Sequence, residues 1–205
     1  MENKNTDRRI IRTKQVIREA LVGLIEEKGF DSLTVKDITE RANINRGTFY
    51  LHYRDKFDLL EQTVSEIAEE CKNIVLQSNE LNLIDYRKSD EPVPVMVSLF
   101  EYFNENASLI RALLGIKGDL SFQTQFKKVL WSNIFEKELS VHIKKENLLV
   151  PSEYLITYLI SAHLGVVQQW LDKDVRESPR QMASILYLLS FYGPFYAAGV
   201  NIMEN

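Results

Sequence analysis

The chain has 205 residues, of which 45% are hydrophobic and 26% are charged, and its formal net charge is −4. This composition suits one or two compact domains with a sizeable core, and it excludes an intrinsically disordered chain. The sequence has no run of eighteen apolar residues and no basic-then-apolar leader, so we expect a cytoplasmic protein without a membrane partner. Its single cysteine, Cys71, excludes an internal disulfide and a cysteine metal cluster.

Charge is distributed unevenly along the chain. Residues 1–60 hold 12 basic and 10 acidic groups, whereas residues 61–205 hold 13 and 19. The first eighteen residues alone carry six basic side chains and two acidic ones. A basic N-terminal segment ahead of an acidic remainder is suited to contact with nucleic-acid phosphates, because Lys and Arg neutralise the phosphate backbone.

The first predicted element is a helix from about residue 7 to residue 28, followed by Gly29 as a stop signal. Its apolar residues recur at helical spacing: Ile10, Ile17, Leu21, Leu24 and Ile25. We expect this helix to have a mainly structural role.

Two short helices joined by a tight turn are predicted next. Thr34 is followed three residues later by Asp37, a pair that caps a helix start, so a helix should begin at Val35. Asn45 is a suitable N-cap for a second helix that runs through Tyr53. A turn of three to four residues between two such helices is typical of a helix-turn-helix motif.

The second of these helices has two distinct faces. Phe49 and Tyr53 lie four residues apart and are expected to point inward, which leaves a group of surface residues: Arg46, Gly47, Thr48, Tyr50 and His52. Such side chains contact phosphates and base edges, and a glycine lets the backbone approach a groove closely. For any one of these residues, an ordinary solvent-exposed position is the alternative interpretation.

A set of residues within 10–60 matches a known pattern: Thr34, Val35, Ile38, Ala42, the run Gly47-Thr48-Phe49-Tyr50, Tyr53 and Lys56. With them the chain resembles the DNA-binding domain of the TetR/AcrR family of transcriptional regulators. It departs from the family at Asn43, where Gly is frequent, and at Tyr53, where Phe is usual. The resemblance implies phosphate contacts for Thr34, Thr48, Tyr50 and Lys56, and base-facing positions for Asn45, Arg46, Gly47 and His52.

Asp55 and Asp58 form a further cap, which predicts a long connecting helix from about residue 55 to residue 78. Its apolar stripe steps by three and four residues: Phe57, Leu60, Val64, Ile67, Cys71 and Ile74. Since Cys71 lies on this stripe, we expect a buried, inert thiol in preference to a redox sensor. Residues 79–91 are predicted to form a loop ahead of Pro92 and Pro94.

Helical periodicity continues to the C-terminus, and no strand pattern of useful length occurs. Further helices are predicted over 95–106, 107–115, 121–146, 151–172 and 179–200, the last kinked at Gly193-Pro194. We therefore predict an all-α fold of about nine helices. A three-helix, helix-turn-helix DNA-binding domain occupies 1–54, and a larger helical regulatory, dimerisation and ligand domain occupies 55–205.

The last two predicted helices are apolar around most of their circumference, which is typical of helices in a core or at an interface. We expect a homodimer joined as a four-helix bundle, the alternative being a monomer that buries both helices within its own core. Candidate interface residues are Leu155, Leu159, Val166, Ile185, Leu189 and Tyr192. Gly165, Trp170 and Ser178-Pro179 resemble the C-terminal domain of a TetR subgroup from low-GC Gram-positive bacteria.

The resemblance implies a repressor that binds a pseudo-palindromic operator in double-stranded DNA and is released by a small apolar or aromatic effector. Candidate pocket residues are Tyr102, Phe103, Arg111, Trp131, Tyr158 and His163, although aromatic residues at helical spacing more often belong to a core. Control by a partner protein is the alternative. Because the sequence lacks HExxH, GxSxG and glycine-rich phosphate motifs, we expect no enzyme activity, cofactor or metal.

Overall fold

The structure is a computed structural model that describes residues 2–77, 92–115, 124, 145–173 and 176–200. Within these residues the chain forms helices and no strand, which confirms the all-α prediction. The loop expected over 79–91 and almost all of the helix expected over 121–146 lie outside the described residues. The α-helices are α1 (Glu2–Lys28), α2 (Val35–Arg41), α3 (Arg46–Tyr50), α4 (Lys56–Gln77), α5 (Pro94–Glu105), α6 (Ala107–Leu114), α7 (Ser152–Leu171), α8 (Pro179–Phe191) and α9 (Gly193–Ala197).

The chain divides into two compact units. Unit 1 comprises Met1–Ile67 together with Ser108–Phe126, and unit 2 comprises Ala68–Ala107 together with Lys127–Asn205. Helices α1, α2 and α3 and almost all of α6 lie in unit 1, whereas α5, α7, α8 and α9 lie in unit 2. Helix α4 contributes residues to both. None of the described helices has the length and apolar character needed to cross a membrane.

Unit 1 is built around a core of aliphatic and aromatic side chains that are almost completely buried: Ile17, Leu21, Ile25, Phe30, Ile38, Phe49 and Leu59. Burying each such side chain stabilises the fold by about 1.5–3 kcal/mol. The expected inward face of α1 is confirmed except at Ile10, which is 38% exposed. From Arg8 onward the first buried residue of α1 is Ile17, so Ile10 lies two turns ahead of it.

Helix α4 begins where its cap predicts. The Asp55 carboxylate accepts hydrogen bonds from the backbone N–H groups of Phe57 and Asp58, both at 2.8 Å. The prediction for Phe57 is wrong, because its side chain is 57% exposed and packs edge-on against Phe30, with ring centroids 5.6 Å apart. Cys71 is buried as expected, and burial raises the pKa of its thiol to about 12, so the thiolate is scarce at neutral pH.

In unit 2, α5 packs along α8. The ring of Phe100 on α5 meets the ring of Trp170 on α7 edge-on, with centroids 5.3 Å apart. Helix α8 starts with a capping box of Ser178 and Gln181. The helix predicted over 179–200 is interrupted at the predicted kink, between α8 and α9, because Gly193 has a φ of +85° and Pro194 lacks a backbone N–H.

Candidate nucleic-acid interface

The start of α2 is held by a complete capping box. The Thr34 hydroxyl and backbone N–H donate to one Asp37 carboxylate oxygen at 2.6 and 2.8 Å, and the Asp37 N–H donates to the Thr34 hydroxyl oxygen at 3.2 Å. The Lys28 ammonium lies 2.9 Å from the same carboxylate oxygen. The Thr34 hydroxyl first, and Lys28 next, lower the pKa of Asp37 to about 2. Helix α2 begins at Val35, as predicted.

The turn between α2 and α3 places Asn43 in the left-handed region, with a φ of +51°. Asparagine adopts this conformation at less cost than most residues, because its short amide side chain forms local hydrogen bonds. The position where the sequence has Asn in place of the family's frequent Gly is therefore one that requires a left-handed backbone. The following Ile44 donates its N–H to the Thr39 carbonyl oxygen at 3.0 Å and is half-buried between the helices.

Helix α3 is shorter than predicted. Its N-cap is Asn45, which has an extended backbone and whose side chain makes no cap hydrogen bond. The helix ends at Tyr50, so the predicted end at Tyr53 is wrong. After Tyr50 the chain turns toward the Asp55 cap of α4, although the Tyr53 N–H still donates to the Phe49 carbonyl oxygen at 3.0 Å.

The two faces predicted for this segment are confirmed. Phe49 and Tyr53 are buried, and desolvation, followed by the nearby Glu66 carboxylate, raises the pKa of the Tyr53 hydroxyl to about 12. Arg46 and Gly47 are exposed, and Thr48 and His52 are half-buried.

We call the residues Asn45, Arg46, Gly47, Thr48, Tyr50 and His52 the α3 edge. The Arg46 guanidinium donates to the Tyr50 hydroxyl oxygen at 3.4 Å, and Tyr50 is 50% exposed. A Cβ added at Gly47 would meet nothing within 4 Å, so the surface beside it is open. The edge thus offers a guanidinium, hydroxyls and an amide, which are donors and acceptors suited to phosphates and base edges.

Lys56, the first residue of α4, contacts two backbone carbonyl oxygens and two aromatic rings. Its ammonium donates to the backbone carbonyl oxygens of Phe30 and Asp31, at 3.1 and 2.9 Å. It also lies 4.9 Å from the ring centroid of Phe30 and 5.2 Å from that of Phe57. Two of its three N–H groups have protein acceptors, so the side chain ties α4 to the turn between α1 and α2. No local pattern in the sequence predicted this structural role.

Sequence reasoning also missed the contacts that hold α2 and α6 against α1. The Arg41 guanidinium pairs with the Glu27 carboxylate and lies against Gly23, where an added Cβ would come within 2.6 Å of Arg41 Nη2. Arg111 of α6 pairs with Glu26 at 3.3 Å. Gly23 in the middle of α1 was the available signal, since a larger residue there would require the Arg41 side chain to shift.

The candidate pocket residues are spread over both units. Arg111 lies in unit 1, whereas Tyr102, Phe103, Tyr158 and His163 lie in unit 2, and Trp131 lies outside the described residues. Phe103 meets the rings of Phe100 and Tyr102, so it belongs to an aromatic cluster of α5. Tyr158 is 55% exposed.

His163 of α7 is bonded to its own helix and to α8. Its Nδ1 contacts the Leu159 carbonyl oxygen, and its Nε2 lies 3.1 Å from the Ser190 hydroxyl. Desolvation lowers the pKa of this imidazole. These contacts are those of a hydrogen-bonded histidine between two packed helices.

The candidate dimer residues lie on partly exposed faces of α7 and α8. Leu155, Leu159, Val166 and Leu189 are half-buried, and Ile185 and Tyr192 are 41% and 44% exposed. The opposite face of α7 is buried within unit 2 through residues that include Leu164, Val167 and Trp170. Both helices therefore retain an apolar face that the protomer covers only in part.

Comparisons with protein families match both parts of the chain. Residues 17–63 match the family described as bacterial regulatory proteins, tetR family, and residues 90–192, half of the chain, match the family described as transcriptional regulator C-terminal region. The solved structure of a TetR-family transcriptional regulator from Syntrophomonas wolfei is similar in fold, with a TM-score of 0.70 at 18% identity. That similarity covers 94% of this chain and 98% of the other.

Two curated relatives are transcriptional regulators by name. YxbF of Bacillus subtilis (strain 168), an HTH-type transcriptional regulator, is 22% identical over 181 residues, which cover 88% of this chain and 45% of YxbF. IcaR of Staphylococcus aureus (strain Newman), the HTH-type negative transcriptional regulator of a biofilm operon, is 31% identical over 65 residues, which cover 32% of this chain and 35% of IcaR. The chain thus spans less than half the length of these relatives. It belongs to the TetR family of DNA-binding, helix-turn-helix transcriptional regulators, which are not enzymes.

Proposed function

We propose that this regulator binds a pseudo-palindromic operator in double-stranded DNA as a homodimer, and that it represses transcription in the cytoplasm. The observation that carries this proposal is the α3 edge, a set of exposed and half-buried polar groups on and beside a helix whose Phe49 is buried. Repression is supported by the name of IcaR, a negative regulator. A rigid backbone behind exposed donors keeps their geometry constant, which is what sequence recognition requires.

The proposed DNA contacts divide into two kinds. Asn45, Arg46, Gly47 and His52 face base edges in the major groove, and Thr34, Thr48, Tyr50 and Lys56 contact phosphates. Arg46 suits a guanine, because its guanidinium donates to two acceptors at once. Lys56 has one N–H beyond its two carbonyl bonds for a phosphate, so its contact is secondary to its structural bonds.

Dimerisation supplies the second half of operator recognition. We propose that the half-exposed faces of α7 and α8 pack against the same faces of a second copy, as a four-helix bundle. Two recognition helices related by a two-fold axis then select half-sites at a set spacing. In this proposal residues 1–54 form the DNA-binding domain, and residues 55–205 form the regulatory and dimerisation domain.

Control requires a ligand with different affinities for the DNA-binding and released states. We propose a small apolar or aromatic effector bound in the C-terminal domain, with α4 as the connecting element, because α4 contributes residues to both units. A partner protein is the second candidate. It is favoured by two exposed aromatic side chains of α9, Phe195 and Tyr196.

The experiment is selection of bound duplexes from a random DNA pool with the purified protein. The proposal predicts an enriched sequence with two inverted half-sites at fixed spacing. Repeating the selection with metabolite mixtures and with protein fractions from cell extract identifies a small effector or a partner protein. Absence of any enriched sequence would contradict operator binding and favour a protein-interaction module.

A further inference from the structure

The N-terminal part of α1 is a strongly basic helix that the core of unit 1 does not use. Residues 8–18 contain five basic side chains and no acidic one. Arg8, Arg9 and Arg12 are exposed, and the first buried residue after them is Ile17. The helix therefore continues for more than two turns beyond the residues that anchor it.

The basic residues of this segment fall into two groups. Lys14 and Arg18 both pair with the Glu66 carboxylate of α4, so they hold α1 to its own unit. Arg8, Arg9 and Arg12 form no ion pair with the residues that the structure describes. Arg8 and Arg12 are four residues apart on one helix face, where like charges destabilise a helix. An external polyanion would relieve this repulsion.

The segment starts beside the end of the recognition helix. The Lys14 ammonium lies 5.9 Å from the ring centroid of Tyr53, which follows α3 by three residues. Since a helix rises 1.5 Å per residue, Arg12 lies about 3 Å and Arg8 about 9 Å further along the axis of α1. The basic segment therefore begins within about one helical turn of Lys14, which contacts the chain just after α3.

We propose that Arg8, Arg9 and Arg12 form a second DNA-binding surface, which contacts backbone phosphates that flank each half-site. The proposal rests on the proposed function, because it presumes DNA at the α3 edge. A guanidinium group can donate two parallel hydrogen bonds to one phosphate. It is also weakly hydrated, so its desolvation on binding costs little. This surface lengthens the stretch of DNA that the protein contacts and raises its affinity for DNA. It does not alter the base preference.

The test compares two triple variants of equal charge. Arg8→Gln/Arg9→Gln/Arg12→Gln removes the proposed surface, and Lys72→Gln/Lys173→Gln/Arg180→Gln removes three cations from unit 2 as the matched control. Affinity for the selected operator is measured at several salt concentrations. The slope of log K against log salt is expected to fall by about 0.9 for each phosphate that the first variant no longer neutralises, and to remain unchanged in the control.

Two further arms make the outcome decisive. On duplexes trimmed to the half-sites, the wild type and the triple glutamine variant should bind with similar affinity. On long duplexes, the variant Arg8→Lys/Arg9→Lys/Arg12→Lys should restore most of the wild-type salt dependence. An arginine variant with the wild-type slope would overturn this proposal and leave operator recognition intact. If the wild type selects no sequence, the proposed function fails, and the slopes on a non-operator duplex still test the arginine surface.

Discussion

The ammonium of Lys56 lies 4.9 Å from the ring centroid of Phe30 and donates a hydrogen bond to the Phe30 carbonyl oxygen at 3.1 Å. One side chain at the start of α4 thereby holds the turn that connects α1 to α2. Because α4 is the proposed connection between the two domains, this contact bears on both the stability of the DNA-binding part and the position of its helices.

Replacing Lys56 by Met should destabilise the protein, because the two backbone carbonyls lose a charged donor while the apolar stem is retained. Hydrogen bonds to charged groups contribute about 1.5–3 kcal/mol, and the half-buried setting of Lys56 favours the lower end of that range. Urea denaturation measures the change in the free energy of unfolding. Lys36→Met is the matched control, because Lys36 is exposed on α2 and its ammonium pairs with Glu40 of the same helix at 3.7 Å. Equal stability of the two variants would contradict a structural role for Lys56.

Asp37 should make folding sensitive to strong acid. Its pKa in the folded protein is lowered from 3.8 to about 2, so its stabilising contribution is fully present above pH 4 and is lost as the pH falls toward 2. An NMR titration of the Asp37 carboxyl carbon measures this pKa directly. In Thr34→Ala the largest cause of the shift is absent, and the pKa should move back toward 3.8. An Asp37 pKa near 3.8 in the wild type would mean that the capping box does not form.

Gly47→Ala should lower the affinity for the operator without lowering the stability of the fold. The added methyl meets nothing within 4 Å, and alanine favours helices over glycine by up to about 1 kcal/mol, so stability should be unchanged or slightly higher. Operator affinity should fall, because the proposed close approach to the groove leaves no room for the methyl group. Thermal unfolding and a binding titration on one preparation give both quantities. Undiminished affinity would show that the groove lies farther from Gly47 than proposed.

The proposed dimer interface predicts monomers when its apolar face receives a charge or bulk. Leu189→Glu should give a monomer in analytical ultracentrifugation, and Leu149→Glu, at a fully exposed position, should not. Gly165→Leu on α7 gives an independent test, because Gly165 is exposed and a Cβ there meets nothing within 4 Å. If both α7 and α8 variants stay dimeric, the interface lies elsewhere.

Local signals in the sequence predicted the helix starts well. The pairs Thr34–Asp37 and Ser178–Gln181 act over three residues, so their capping bonds need no tertiary information. The end of α3 was predicted less well, because it depends on where the chain must turn to begin α4. Helical periodicity also separated the buried Phe49 and Tyr53 from the exposed and half-buried residues of the α3 edge, and this division is confirmed.

The contacts that position the site were not predictable in the same way. Lys56 bonds to a carbonyl 26 residues earlier in the chain, and Arg41 meets Gly23 only because α2 crosses α1 at that point. Such pairs arise from the packing of separate helices, which one sequence does not specify by spacing. The roles proposed for the α3 edge and for the faces of α7 and α8 are predictions that a complex with DNA would test.

The central claim is that α3 lies in the DNA groove, and the most direct test compares Arg46→Ala with the wild type. Selection from a random duplex pool gives the base preference of each protein. Titration of the selected operator gives the affinity of each protein. Tyr50→Phe is the comparison, because its hydroxyl is assigned to a phosphate, so its removal should weaken all sequences by a similar factor. Placement of α3 in the groove predicts that Arg46→Ala relaxes preference at one or two base pairs and costs about 1–3 kcal/mol of operator binding. Unchanged affinity together with unchanged preference would contradict the placement of α3 in the DNA groove.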